Sequence, residues 1–407
     1  ADEGGIRSAA VLTTGCRLNQ AESDALRRRL QAQGVVLSVH PEQADACFLN
    51  TCAVTAAAGR SSVQQVLRIC RLRPKPRVVV MGCLAEYDPV RLAGIDGVDE
   101  VWDNHRKQAE IDGFCPLPRR SRAVLKVQDG CDSRCSYCIV SGLRGRPRSV
   151  EPELVCRQVS ELVSVGHGEV VLTGLNLGRY KAASGWDLAD LLVALLGQSG
   201  FRVRLASIEP DGLSERLMEI LAEKRICPHF HIPLQSGDDG VLGLMGRGYR
   251  TTDYARLVER LVRVRPDACI GADVIAGFPN ESDAAFGRTL AFLRELPLAY
   301  VHAFSYSTRK GSGAEKLGDP VPAKVKRSRV TALREFSADR SREFRRRFTG
   351  SAREAVVESR CSATTDNYLR LELDGCWHYR PGQLVRMFVV EQAGRLVGRP
   401  VADAGAR

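Results

Sequence analysis

Apolar and polar residues follow a repeating order along the first part of the chain, and this order predicts an α/β fold. Short apolar runs such as AAVLT, ACFLN and RVVVMG each lead into a longer segment with helical spacing, as in NQAESDALRRRLQAQG. Short apolar runs bounded by turns predict strands, and the spacing that follows predicts amphipathic helices. Strands that alternate with helices favour a small parallel sheet.

The middle of the chain repeats this pattern six times. Its strand-like runs are AVLKVQ, GEVVLTGLNL, FRVRLASIEP, HFHIPLQSG, ACIGADVIAGFP and YVHAFSYS, and amphipathic segments such as DLADLLVALLG separate them. Six β/α units over about 200 residues predict a partial (β/α)6 barrel rather than a closed eightfold one. In barrels of this kind the functional residues lie at the carboxyl ends of the strands.

The pattern changes over about the last 60 residues. Apolar positions alternate there and glycines mark turns, which predicts a small β-barrel. The segment FCPLPRRSR, with two prolines and a basic tail, is typical of a linker. We therefore expect an α/β protein of three domains, at residues 1–118, 119–345 and 346–407.

Composition excludes several classes of protein. The chain has 407 residues, of which 44% are hydrophobic and 26% charged, as in soluble globular proteins. No apolar run approaches the roughly 18 residues that span a bilayer, and the first residues do not resemble a signal peptide. We expect a cytoplasmic protein with no membrane partner. Its 14 cysteines are then more plausible as metal ligands than as disulfides.

Positive charge dominates the chain, and a formal net charge of +11 favours acidic partners, above all nucleic acid. Residues 323–360 contain twelve Lys or Arg against five Asp or Glu. Two interpretations of this segment stay open. It is either a solvated basic helix with an apolar stripe or a surface that faces RNA. The stripe would consist of Val330, Leu333, Phe336, Phe344 and Phe348.

Three cysteines in the first part of the chain occupy equivalent places. Cys16, Cys52 and Cys83 each follow a predicted strand by one or two residues. Ligands collect at the carboxyl edge of open parallel sheets, so these three side chains can converge although they are 36 and 31 residues apart. A single cysteine there would be a small buried hydrophobe, but three predict a shared metal or cluster site.

A second cysteine group, Cys131, Cys135 and Cys138 in GCDSRCSYC, follows the first predicted barrel strand. Iron-sulfur clusters and structural zinc sites usually take four protein ligands, and no fourth cysteine or histidine follows nearby. Three ligands leave a coordination position open for a substrate or cofactor. A protein without catalytic activity, either a two-cluster electron carrier or a zinc-stabilised RNA-binding protein, remains an alternative, although two sets of three ligands argue against both.

The spacing C-x-x-x-C-x-x-C, with Tyr137 before the last cysteine, resembles the signature of radical S-adenosylmethionine (SAM) enzymes. The resemblance implies a 4Fe-4S cluster on Cys131, Cys135 and Cys138, whose open iron binds SAM, and cleavage of SAM to a 5′-deoxyadenosyl radical. It also implies SAM contacts from Tyr137 and from strand-end positions. These positions are Glu169, Ser207, Glu209 and Gln235.

The resemblance extends over the whole chain to the methylthiotransferases. TTGCRLNQAESD, NTCAVT, VVVMGCLAE, SIEP and HFHIPLQSGDD occur in the order of that family. The resemblance implies a second 4Fe-4S cluster on Cys16, Cys52 and Cys83, through which the sulfur passes. It also implies a methyl group from SAM and abstraction of a C2 hydrogen by the radical. The last domain resembles the TRAM domain, an OB-like RNA binder, although a barrel used only for packing stays an alternative.

Within this family, NTCAVT, QDGCD, SIEP and YVHAFSYSTRKGSGA resemble the branch that acts on threonylcarbamoyladenosine in tRNA. The branches for isopentenyladenosine in tRNA and for an aspartate of ribosomal protein S12 are the alternatives. The resemblance implies a flipped adenosine 37 of the anticodon stem-loop and an electron donor such as flavodoxin or ferredoxin. One departure, Ser141 and Gly142 in place of Pro-Tyr, leaves the substrate role of the loop from Ser141 to Arg146 open.

Overall fold

The computed structural model describes residues 5–375 and 378–401. The first domain contains a five-stranded sheet in which all neighbouring strands are parallel. The strands are β1 (Ser8–Thr13), β2 (Val36–Leu37), β3 (Ala46–Thr51), β4 (Arg77–Gly82) and β5 (Glu100–Val101). The helices are α1 (Arg17–Ala32), α2 (Ala56–Cys70), α3 (Cys83–Tyr87), α4 (Pro89–Ala93) and α5 (Asn104–Ile111). The order β2-β1-β3-β4-β5 makes β1, β3 and β4 neighbours. Every residue of the central strand β3 is buried, as expected for a strand covered on both faces.

The six predicted barrel strands all form. They are β6 (Ala123–Lys126), β9 (Glu169–Thr173), β10 (Arg202–Leu205), β11 (His229–His231), β12 (Cys269–Ala276) and β13 (Tyr300–Ser305). Parallel pairs join β6, β9 and β10 in one sheet and β11, β12 and β13 in another, and a parallel bridge between Val203 and Ile226 lies between the two. A short antiparallel hairpin of β7 (Gln128–Asp129) and β8 (Arg148–Ser149) frames the second cysteine group.

Helices cover the outer face of these strands. Apart from α6 (Val140–Arg144) and α10 (Asp239–Leu244), which lie at the loop between β7 and β8, they are α7 (Pro152–Ser164), α8 (Leu188–Leu196), α9 (Glu215–Ile220), α11 (Thr251–Val264), α12 (Asp283–Glu295) and α13 (Ala323–Phe348). Alternate strand residues such as Leu172, Val203 and Ile270 pack against them in one large apolar core. The residues between these, such as Arg204 and Asp273, point the other way, so the inner face of the barrel is polar.

The basic segment forms one helix, α13, and its apolar stripe is buried as predicted. Val330, Leu333, Phe344 and Phe348 are buried, and Phe336 packs against the barrel core. The stripe lies partly on the barrel and partly in the core of the last domain. Most of its arginines remain on the outer face of the packed helix, whereas Arg329 is buried and paired with Glu281 at 2.6 Å.

The chain ends in a closed five-stranded barrel of β14 (Ala352–Ser359), β15 (Ser362–Thr365), β16 (Arg370–Leu373), β17 (Leu384–Gln392) and β18 (Arg395–Pro400). Arg204 donates a hydrogen bond to the carbonyl of Thr365 at 3.0 Å, and the rings of His229 and Tyr368 stack at 3.9 Å. These contacts seat the small barrel against the larger one. The predicted fold class is confirmed, whereas the exact domain boundaries stay predictions, and residues 1–4 and 402–407 of the outer domains lie outside the described residues.

Within the described residues, none of the helices has the length and apolar character needed to cross a bilayer.

Candidate functional site

The three cysteines of the first domain lie together at one edge of the sheet. Cys52 and Cys83 directly follow β3 and β4, and Cys16 follows β1 by three residues. Gly15 comes so close to Cys52 that a Cβ on it would lie 3.1 Å from the Cys52 sulfur. Burial, with a further contribution from the neighbouring thiols Cys16 and Cys83, raises the pKa of Cys52 to about 11. The three thiols meet at one edge because β1, β3 and β4 are parallel neighbours in the sheet.

The second cysteine group lies on the loop between β7 and β8. The amide of Cys131 donates to the carbonyl of Gly145 at 3.0 Å, which closes the base of the loop. The amide of Ser136 donates to the carbonyl of Met245 at 2.9 Å, and its hydroxyl donates to Leu244 at 2.8 Å. The loop is therefore held both by its own hairpin and by the end of α10.

Burial also acts on the thiol of Cys138 in this loop. It raises the pKa of Cys138 to about 11, with smaller contributions in the same direction from Cys135 and Cys131. The amide of Val140 donates to the Cys138 sulfur at 3.3 Å. Thiols with raised pKa values stay protonated near neutral pH, so binding of a metal would release their protons. Among the described cysteines none forms a disulfide.

A buried ionic network connects the two cysteine groups. Arg144, on the helix that follows Cys138, is paired with Glu22 and donates a hydrogen bond to the sulfur of Cys83 at 3.4 Å. Lys107 lies 2.9 Å from Glu22, and Lys126 lies 3.4 Å from it. Burial by itself would raise the pKa of Glu22, but these three cations hold it well below the usual carboxyl range. The loop from Ser141 to Arg146 therefore contributes Arg144 to the site.

A second arginine connects the cysteine loop to the carboxyl edge of the barrel. Arg247 donates to the sulfur of Cys135 at 3.2 Å and to the hydroxyl of Tyr137 at 3.4 Å, and it forms an ion pair with Glu209. Burial raises the pKa of Glu209 despite this pair. Arg247 was not predicted from the sequence, because its partners lie 38 to 112 residues away along the chain.

The residues proposed to contact SAM fall into two groups. Tyr137, Ser207, Glu209 and Gln235 follow strands or the cysteine loop, at the carboxyl edge of the barrel. Glu169 does not join them. It is the first residue of β9, is fully buried, and is held by Arg202 at 2.7 Å and by Arg204 at 2.7 Å. The expectation for Glu169 is corrected, because its motif begins the strand instead of ending it.

Two further polar groups at the barrel strands were missed. Asn176, just beyond β9, is 1% exposed, and neither atom of its side-chain amide has a hydrogen-bond partner among the described residues. On the inner face, Asp273 lies 2.9 Å from His231 and 3.3 Å from His302. Burial opposes ionisation of Asp273, but the two imidazoles lower its pKa to about 2. An orphaned amide beyond β9 fits a bound polar cofactor.

Comparisons with known proteins agree with this geometry. The model of the "Uncharacterized protein family UPF0004" matches residues 8–102, and that of the "Radical SAM superfamily" matches residues 125–293. The threonylcarbamoyladenosine tRNA methylthiotransferase MtaB of Aquifex aeolicus is 35% identical and covers 93% of this chain and 99% of its own length. The tRNA-2-methylthio-N(6)-dimethylallyladenosine synthase of Geobacillus thermodenitrificans is 29% identical and covers 88% and 75%.

Among solved structures, the radical S-adenosylmethionine methyltransferase TsrM from Kitasatospora setae superimposes with a TM-score of 0.54 and 14% identity. The match covers 74% of this chain and 75% of that one. At this identity the likeness concerns the fold alone.

Proposed function

Because the chain belongs to the threonylcarbamoyladenosine tRNA methylthiotransferase family, we propose that it converts N6-threonylcarbamoyladenosine at position 37 of tRNA to its 2-methylthio derivative. The observation that carries this proposal is the match to a relative of that activity along almost the full length of both chains. The two cysteine groups, joined through Arg144, support it, since methylthiolation needs both a sulfur source and a means to activate C2.

The protein is a radical SAM enzyme and uses SAM with a 4Fe-4S cluster. When bound, these groups supply a 5′-deoxyadenosyl radical. Cys131, Cys135 and Cys138 would hold the cluster, and their three thiols fit a site with one open iron. Tyr137, Ser207, Glu209 and Gln235 are the proposed SAM contacts. Arg247 orients two of them, Tyr137 and Glu209, and donates to a ligand sulfur, and hydrogen bonds to cluster sulfurs tune iron-sulfur sites.

We further propose that Cys16, Cys52 and Cys83 hold a second 4Fe-4S cluster. A single zinc ion binds thiolates at about 2.3 Å, so its sulfurs would lie within about 4 Å of one another. Among the described residues, the group of three potential ligands whose atoms all lie within 4.8 Å is His231, Asp273 and His302, and neither cysteine group meets that limit. The wider spacing of the cysteines favours a cluster of several irons.

Electrons for the cluster must come from a separate donor, and we propose a small acidic protein such as flavodoxin or ferredoxin. The net charge of +11 supports this choice, because opposite charges accelerate encounter between proteins.

The first prediction concerns iron content. Anaerobic reconstitution is expected to load about eight irons per chain, with the visible absorption of iron-sulfur clusters. Metal analysis by mass spectrometry measures this number. About two zinc ions per chain and a colourless protein would contradict both cluster assignments.

The second prediction concerns Gly82, which precedes Cys83 with φ +96°. A Cβ at this position would lie 2.3 Å from the side-chain oxygen of Asn50 and 2.5 Å from the carbonyl of Thr51. We expect Gly82→Ala to shift Cys83 and to reduce the iron content to about four. Gly34→Ala is the matched control, because Gly34 has a similar φ of +80° with no atom near its Cβ. Full iron loading of the Gly82 variant would show that the turn does not position Cys83.

The activity itself is tested with purified, reconstituted enzyme, SAM, a reductant and tRNA that bears threonylcarbamoyladenosine. Nucleoside analysis by mass spectrometry should detect the 2-methylthio product. The control substrate is tRNA that bears isopentenyladenosine, which we expect to remain unmodified. If the control tRNA is modified and the expected substrate is not, the enzyme belongs to the branch that acts on isopentenyladenosine. The cluster proposals would still stand.

A further inference from the structure

An open cleft of about 590 Å³ lies where the three parts of the molecule meet. Helix α1 contributes Arg17, the linker contributes Arg119, Arg120 and Arg122, and strand β16 of the small barrel contributes Arg370. The floor is formed by Val124 and Val171 of β6 and β9. We call this the three-way cleft.

The positive charge of the three-way cleft is mostly uncompensated. Arg122 is paired with Glu358 at 2.8 Å. Arg17 instead donates to the hydroxyl of Tyr368 at 3.2 Å, and Arg119 donates to the carbonyl of Ser38 at 3.4 Å. Across residues 5–375 and 378–401, no carboxylate lies within 4.0 Å of the guanidinium groups of Arg17, Arg119, Arg120 or Arg370. Four arginines around one opening repel each other and favour an anion between them.

The arrangement of these arginines indicates what kind of anion fits. Guanidinium groups match phosphate oxygens in geometry, and arginine is the preferred residue for nucleic-acid recognition. The charges lie on three separate structural elements, and Arg119, Arg120 and Arg370 are exposed. A small anion would contact one wall, whereas an extended chain of phosphates contacts all three. Arg17 directly follows Cys16, so one end of the cleft lies beside the first cysteine group.

The basic helix α13 is a weaker candidate for the same role. Arg345 donates to the carbonyl of Ser341 on its own helix, and Arg347 donates to Pro266 at 2.8 Å while its guanidinium lies over Phe344. Arg345 is therefore engaged within its own helix, and Arg347 ties the helix to the segment between α11 and β12. Their charge adds to the positive potential of the surface, but some of their N–H groups are already hydrogen-bonded within the protein.

We propose that the three-way cleft binds consecutive phosphates of the tRNA stem that carries the modified adenosine. The proposal rests on the proposed function for the identity of the RNA. The linker and β16 would contact the phosphate backbone of the RNA. Such contacts set the position of the RNA on the protein without recognising its bases.

The test compares two triple variants of the full-length, reconstituted protein. Arg119, Arg120 and Arg370 are replaced by Gln in the first. Arg157, Arg256 and Arg263, exposed on the outer helices α7 and α11, are replaced by Gln in the second, so both lose the same charge. Binding of unmodified tRNA transcript is measured by fluorescence anisotropy between 50 and 300 mM salt, conditions chosen to expose the roughly linear dependence of log affinity on log salt.

We expect the first variant to lower the slope of log affinity against log salt by about 2 to 3, since each lost phosphate contact removes roughly 0.7 to 0.9. The control variant should keep the wild-type slope. Iron content and melting temperature equal to wild type in both variants show that neither change acts through folding. Equal slopes for the two variants would overturn the proposal, because only overall charge would then matter.

The two proposals fail in distinguishable ways. If wild-type enzyme modifies threonylcarbamoyladenosine and the cleft variant binds tRNA normally, the cleft assignment is wrong and the function stands. If the cleft variant loses tRNA binding but the wild-type enzyme leaves threonylcarbamoyladenosine unchanged, the cleft stands and the proposed substrate is wrong.

Discussion

A variant with alanine at Cys131, Cys135 and Cys138 is expected to release no 5′-deoxyadenosine from SAM and to bind about four irons instead of about eight. The reason is that these three thiols lie on the loop held between β7 and α10, where the radical SAM model matches, and no cluster would remain to donate an electron. Chromatography of the nucleoside products and metal analysis measure both outcomes.

The complementary variant, with alanine at Cys16, Cys52 and Cys83, should still yield 5′-deoxyadenosine but no methylthiolated tRNA. Alanine at Cys47, Cys70 and Cys115, three buried cysteines that lie away from the sheet edge, is the control and should retain about eight irons. Methylthiolated product from the variant without Cys16, Cys52 and Cys83 would show that sulfur reaches the substrate by another route.

The second large effect is expected at Glu22, whose carboxylate is completely buried among Arg144, Lys107 and Lys126. Glu22→Gln keeps the shape but removes the charge, and Lys107 then has no carboxylate partner within the described part of the chain. Breaking a buried pair in this way costs about 3–5 kcal/mol in the free energy of unfolding. Chemical denaturation measures it.

The pH dependence gives an independent check on Glu22. Since its pKa is held well below the usual carboxyl range, its contribution is present above that range and is lost as the pH falls through the depressed value. The wild type should lose its advantage over Glu22→Gln in acid. Glu215→Gln, which breaks an exposed pair with Arg260, should change stability little at any pH. Equal stability of Glu22→Gln and wild type at neutral pH would contradict this account.

The sequence predicted those features that depend on local pattern and strand order. Each of the six barrel strands was found from its apolar run, and the convergence of Cys16, Cys52 and Cys83 followed from the rule that parallel strands end at one edge. Arg144 and Arg247 escaped prediction because their partners, such as Cys83 and Glu209, become neighbours only after the chain folds. Glu169 was predicted at the wrong end of its strand, because an apolar run does not show by itself at which residue the strand begins.

The contact of Arg144 with Cys83 has a consequence for how the enzyme moves. The helix that carries Arg144 begins two residues after Cys138, and its guanidinium ends on a sulfur of the other cysteine group. Separating the first domain from the barrel would take Arg144 and Lys126 away from Glu22 and leave it paired with Lys107 alone among the described residues. The two cysteine groups are thus tied together by a buried charge network, which any opening between the two domains would have to break. On the proposed function we therefore expect the adenosine to leave its stack and approach the cysteine groups, with the two domains staying in contact.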